Sequence, residues 1–85
     1  MTLTADAASA MTNADISEAD RSHVFHSWSA QGSLAPMPIV SGAGCVVWDV
    51  EGNEYLDFSS QLVNVNIGHQ HPKVVAAIQA QADVL

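Results

Sequence analysis

Val75, Ile78, Ala82 and Leu85 stand at i, i+3, i+7 and i+10, and this stripe constrains the chain more than any other feature of it. The spacing predicts a helix with one apolar face, widened by Val74 and Ala77. Pro72 opens that helix, in a first turn where a missing N–H costs nothing. No glycine, basic last turn or polar tail closes it after Ala82-Asp83-Val84-Leu85. A hydrophobic helix face needs a matching surface. The stripe is therefore expected to lie against protein that these residues do not supply, and the chain is expected to be the front of a longer one.

What the chain lacks points the same way. Its 85 residues hold one cysteine, Cys45, so no internal disulfide staples it and no paired-Cys metal motif is present. A reducing cytoplasm is the expected compartment, and the opening Met1-Thr2-Leu3-Thr4-Ala5-Asp6 has neither the basic nor the apolar region of a secretory signal. A domain this small buries about 60% of its surface at best. Two Lys and Arg against nine Asp and Glu leave a formal charge of −7, which argues against nucleic acid and against an anionic membrane surface. No apolar run approaches the roughly 20 residues of a membrane span.

Residues 1–14 are small and polar and read as a mobile tail. Asp15 or Ser17 then offers a cap, and Val24, Phe25 and Trp28 lie at helical spacing, which predicts a short helix over about 17–27. Pro36 and Pro38 forbid its continuation. Pro38-Ile39-Val40 is extended, Ser41-Gly42-Ala43-Gly44 signals a turn or bulge, and Cys45–Asp49 is a β-rich run. Glu51-Gly52-Asn53 turns into Glu54–Phe58, where Tyr55 and Asp57 alternate with Leu56 and Phe58. Residues 59–68 read as an ordered loop with a short strand. The fold class is α+β: tail, short helix, small antiparallel β-meander, loop and C-terminal helix.

Several groups invite chemistry. His23-x-x-His26 and His69-x-His71 would bind zinc if the two pairs met in space. The plainer reading leaves the first pair among helix packing residues and uses the second to cap and orient the turn before Pro72. Asp49 and Asp57, with Glu51 and Glu54 between them, suit acid–base work, or else decorate a solvated hairpin and fix its turn. Cys45 reads as a small core residue, and Trp28 and Trp48 as packing. Gly42-Ala43-Gly44 leads into a strand, so it is no phosphate cradle. Lys73 is the only lysine and sits where a helix begins, facing water, which does not suit a Schiff-base role.

Three strings complete the reading: Val47-Trp48-Asp49-Val50-Glu51-Gly52-Asn53-Glu54-Tyr55-Leu56-Asp57, then Ser60-Gln61-Leu62, then Asn66-Ile67-Gly68-His69-Gln70-His71-Pro72. Jointly they resemble the N-terminal region of class III aminotransferases, pyridoxal-phosphate enzymes of fold type I with an α/β architecture. That family carries an Asp-x-Asp-Gly-x-x-Tyr-Leu-Asp hairpin, a Ser-Gly or Ser-Gln loop and an Asn-x-Gly-His-x-His-Pro turn. This chain departs from the pattern at Glu51, where the second Asp usually stands. The resemblance runs from about Arg21 to Leu85, and the omega-amino-acid:pyruvate type is the nearest.

The resemblance implies an enzyme that moves an amino group from an amine or amino acid to a keto acid, as a cytoplasmic homodimer using pyridoxal 5'-phosphate. It also implies that residues 15–85 are an incomplete segment of the small domain, inert in isolation. The family's catalytic lysine, ring partner and phosphate cradle all lie past residue 85, and Lys73 matches an ordinary position. No catalytic, cofactor-binding or metal residue is therefore expected here. Ser60, Leu62 and Val63 match positions beside or in the substrate-pocket wall, and an aliphatic Val63 leaves more room than the aromatic of some relatives. The alternatives are an aminomutase or decarboxylase of the same family, and a small acidic non-enzymatic binding module with a His-based metal site.

Overall fold

The computed structural model describes residues 10–85. In chain order it contains helix α1 (Asn13–His23), a 3-10 turn (Gln31–Ser33), strands β1 (Ile39–Ala43), β2 (Val46–Asp49) and β3 (Glu54–Leu56), a one-turn helix (Ser60–Val63) and helix α2 (Pro72–Ala82). The strands form an antiparallel sheet in the order β1-β2-β3. Two compact units result. One runs up to Val40 and adds Trp48–Asn53; the other joins Ser41–Val47 to Glu54–Leu85.

In the first unit, α1 begins earlier than its apolar spacing predicts. Thr12 forms a reciprocal capping box: its side chain accepts from the Asp15 N–H at 3.1 Å, and the Asp15 carboxylate accepts from the Thr12 N–H at 2.9 Å. The backbone N–H of Thr12 thereby holds the Asp15 carboxyl below its ordinary pKa. The expected tail boundary at residue 14 thus falls inside a helix, while residues 1–9 lie outside the described residues. Ser17 does not cap; its hydroxyl donates to the Pro36 carbonyl at 2.8 Å.

The helix also stops earlier, at His23 rather than near 27. Val24 is extended, with φ −113° and ψ 130°. The Gln31 side chain accepts from the His26 N–H and donates to the His26 carbonyl, giving that backbone a non-helical partner on each side. Phe25 and Trp28 therefore leave the helix face on which their spacing placed them, and Trp28 is fully exposed at φ 57°.

In the second unit, strand structure continues through Ser41-Gly42-Ala43, where a turn or bulge was expected over Ser41–Gly44, and the chain reverses at Gly44-Cys45. Gly42 has a packing role: a Cβ there would sit 3.0 Å from the His69 ring. Cys45 is exposed, against its expected place in the core, and its carbonyl accepts from the Asp57 N–H at 2.8 Å. Val47 is the buried apolar side chain among the described residues.

Helix α2 follows expectation: Pro72 opens it, and the His71 side chain caps it by accepting from the Lys73 N–H. Its apolar stripe is largely uncovered, with Val75 half-buried and Val74 and Ile78 exposed. Leu56 and Phe58, the apolar side of the β3 alternation, are exposed too. No helix among the described residues is long and apolar enough to cross a membrane.

Candidate functional site

Asp49 organises the β2–β3 turn of the first unit. Its side chain is almost fully buried, with Oδ1 accepting from the Glu51 and Asn53 N–H groups and Oδ2 from the side-chain amides of Asn13 and Asn53. All four contacts measure 2.8–3.0 Å. Glu51 reaches back to accept from the Asn13 N–H at 3.1 Å. A carboxylate enclosed by four donors is a turn clamp, as one sequence reading held. The acid–base role considered for the Asp49–Asp57 pair does not emerge, because each carboxylate has its own structural partner.

Ser60, Leu62 and Val63 come together on the one-turn helix Ser60–Val63, and that turn is left-handed. Ser60, Gln61, Leu62 and Val63 have φ 52°, 52°, 57° and 63°. No short strand forms in residues 59–68, as had been expected. Each L-residue in this conformation costs about 1–2 kcal/mol, so the four together cost roughly 4–8 kcal/mol. The Val63, Asn64 and Val65 N–H groups donate to the carbonyls of Ser59, Ser60 and Ser60, and the Asn64 side chain donates to the Gln61 carbonyl. At about 0.5–1.5 kcal/mol each, these four bonds offset roughly 2–6 kcal/mol. The two ranges overlap. Leu62 and Val63 project from it into solvent, each about three-quarters exposed. Non-glycine strain sustained over four residues is a mark of functional loops.

Asp57 makes the entry contact. Its Oδ1 accepts from the Gln61 N–H at 3.3 Å, inside the turn, and its Oδ2 lies 2.6 Å from His69 Nε2. Both side chains of the pair are largely buried, at 9% and 17% exposure. The His69 hydrogen bond is the main reason that the Asp57 carboxyl lies below its ordinary pKa; desolvation opposes it. Asp57 is therefore no solvated hairpin decoration. His69 is itself anchored: its N–H and carbonyl pair with Gly44 at 2.8 and 3.0 Å, and its ring lies over Gly42. The sequence reading missed this pair, although alternation had placed Asp57 beside the half-buried Tyr55 rather than the exposed Leu56.

Each remaining candidate has a local role. His26 pairs with Asp20, His71 caps α2, and His23 ends α1. Among the described residues no group of three or more His, Cys, Asp or Glu side chains could hold a metal ion. Lys73 is exposed in the first turn of α2. A cleft of about 380 Å³ lies in the second unit between the loop residues Asn66 and Ile67 and the α2 residues Val74, Val75 and Ile78. Ser60, Leu62 and Val63 are not among its lining residues.

The described residues thus present a clamped hairpin, a strained turn that carries two aliphatic side chains, and a helix with an open apolar face. Among solved structures, taurine:2-oxoglutarate aminotransferase from Bifidobacterium kashiwanohense, in complex with PLP and glutamate, superposes with a TM-score of 0.77 at 37% identity. The match covers 88% of this chain and 17% of that one. A thermostable (S)-enantioselective omega-transaminase from Thermomicrobium roseum also gives 0.77, at 34% identity over 86% of this chain and 17% of its own. The fold is that of the corresponding segment of fold type I aminotransferases.

Residues 28–85 match the family Aminotransferase class-III, and the chain belongs to that family. It is 52% identical over 50 residues to 4-aminobutyrate aminotransferase of Escherichia coli (strain K12), covering 59% of this chain and 12% of that protein. The same figures hold for mitochondrial ornithine aminotransferase of Drosophila melanogaster. The chain thus spans 12% of the length of these curated relatives. Among the described residues Lys73 is exposed at the start of α2, which does not suit a covalent anchor for pyridoxal phosphate.

Proposed function

We propose that this chain is the N-terminal part of a pyridoxal-phosphate-dependent aminotransferase that moves an amino group from an amine or amino acid to a keto acid. The cofactor supplies the electron sink for that chemistry when bound by the rest of the enzyme. This segment contributes binding surface: Leu62 and Val63 wall the substrate pocket, with Ser60 beside them. The strained left-handed turn carries the reading. Its conformation holds two aliphatic side chains outward, in a family whose members act on small amines. Relatives named for 4-aminobutyrate, ornithine and 5-aminovalerate favour a donor with a terminal amino group. The parent enzyme is a cytoplasmic homodimer, residues 15–85 belong to its small domain, and the isolated segment is inert.

A graft tests this. Residues 28–85 replace the matched stretch of the E. coli 4-aminobutyrate aminotransferase, and donor specificity is measured with 4-aminobutyrate and with longer omega-amino acids. The expected result is an active holoenzyme whose donor preference follows Leu62 and Val63: Val63→Trp lowers kcat/KM for the bulkier donors several-fold more than for 4-aminobutyrate. A folded, cofactor-loaded graft with no transaminase activity overturns the proposal. A donor preference indifferent to Val63 overturns the pocket assignment.

A further inference from the structure

We infer that Asp57 and His69 act as a positioning pair, a latch that ties the left-handed turn Ser60–Val63 to the β1–β2 reversal and so sets where Leu62 and Val63 stand. The inference rests on the pocket reading above and goes further, because it names what fixes the wall. One end of the latch is rigid. His69 exchanges two backbone hydrogen bonds with Gly44, its ring fills the space where Gly42 lacks a Cβ, and the adjoining Gly68 lies against the Gly44 backbone. The other end is the turn itself, through the Gln61 N–H on Asp57 Oδ1. The carboxylate between them also has its own backbone N–H tied to Cys45.

Geometry gives the latch its leverage. Gln61 is the second of four consecutive left-handed residues, so its N–H points at Oδ1 only while the turn keeps its hand. Return to the right-handed basin breaks that bond and swings the Leu62 and Val63 side chains to new directions. A close, largely buried charge-assisted pair holds the acceptor in place. The turn's own hydrogen bonds nearly balance its strain, so a contact made only in the left-handed state biases the population. The two residues act through the turn, by way of the Gln61 N–H.

The test uses the graft, with hydrogen exchange resolved on peptides covering residues 60–65 and 46–48, and with kcat/KM measured for 4-aminobutyrate and for a bulky aryl amine. Asp57→Ala is expected to speed exchange of the 60–65 amides about tenfold while the peptide containing Val47 changes less than about twofold. It should also shift the ratio of the two kcat/KM values several-fold. A loss of folded enzyme alone leaves that ratio unmoved. His69→Ala should reproduce both effects, and the double variant should add little to either single one. Asp57→Asn retains an acceptor for Gln61 and a partner for the ring but not the charge, and is expected to restore both readouts in part, whereas Asp57→Glu restores neither. Should Asp57→Ala loosen the Val47 peptide as well, the Asn and Glu variants decide: Asn closer to wild type than Glu supports the latch, and equal behaviour overturns it. Unchanged 60–65 exchange in a folded Asp57→Ala graft overturns it outright. Faster exchange with an unmoved donor ratio leaves the turn latched but refutes its place in the pocket.

Discussion

Four glycines separate the two costs that a methyl group can incur in this fold. At Gly32 a Cβ meets nothing within 4 Å and the backbone is unstrained. At Gly44 the space is open but φ is +60°, so the cost is conformational alone, about 1–2 kcal/mol. At Gly42 the backbone is ordinary but the Cβ would lie 3.0 Å from His69 Cγ, so the cost is crowding alone, about 1–3 kcal/mol. At Gly68 both apply: φ is +87° and the Cβ would lie 3.1 Å from Gly44 backbone atoms that cannot swing aside. Adding the two ranges gives about 2–5 kcal/mol for Gly68→Ala. The assay is hydrogen exchange in the graft on peptides covering 42–47 and 66–70, where each 1.4 kcal/mol of opening free energy is about a tenfold change in rate. Gly44→Ala is expected to speed exchange about 5- to 30-fold and Gly68→Ala about 30-fold or more. Gly32→Ala should cause no loss. Gly42→Ala should also loosen residues 60–65, because the ring it displaces holds Asp57. A silent Gly42→Ala, or equal effects at Gly44 and Gly68, would refute the packing described for His69 and Gly68.

Acid should find Asp57 late. A carboxyl whose folded pKa is depressed adds stability above its unfolded value, ordinarily 3.8, and loses it as pH falls through the folded value. Protection of the 60–65 amides in the graft should therefore stay level from neutrality to about pH 4 and fall only below that, and a fall already at pH 6 contradicts the assignment. Lys73→Ala in the graft should leave the cofactor's visible absorbance unchanged; its loss would make Lys73 the anchor after all. The 85-residue chain alone, with Phe25, Trp28, Phe58 and Ile78 exposed, should show a weight-average mass that rises with concentration in sedimentation and a broad thermal transition. A monomer that melts in one cooperative step would show that these faces need no partner.

Much of the fold is legible in local sequence because its signals are local. Pro72 and the His71 cap start α2 where the 3.6-residue stripe requires it, and Glu51-Gly52-Asn53 turns the hairpin around Asp49. The family pattern across Asp49–Asp57 and Asn66–Pro72 is similarly short-range, and the match over residues 28–85 bears it out. Where two local signals compete, spacing is a poor guide. Val24, Phe25 and Trp28 had helical periodicity, yet the Thr12–Asp15 box and the Gln31 side chain bound the helix at both ends. Hydrogen bonds to named backbone groups outcompeted an apolar face with nothing to cover it.

The chain's own order of residues determined the elements, the clamped hairpin, the open stripe on α2 and the family, each within reach of a few neighbours. Only the tertiary structure decided that Asp57 meets His69 across twelve positions, that Gly42 makes room for the ring, and that Ser60–Val63 winds left-handed. The reason is physical. A run of non-glycine residues at positive φ is unfavourable in any isolated peptide, so no local propensity announces it, and the Asp57 carboxylate that accepts from it is itself paired with a residue twelve positions on.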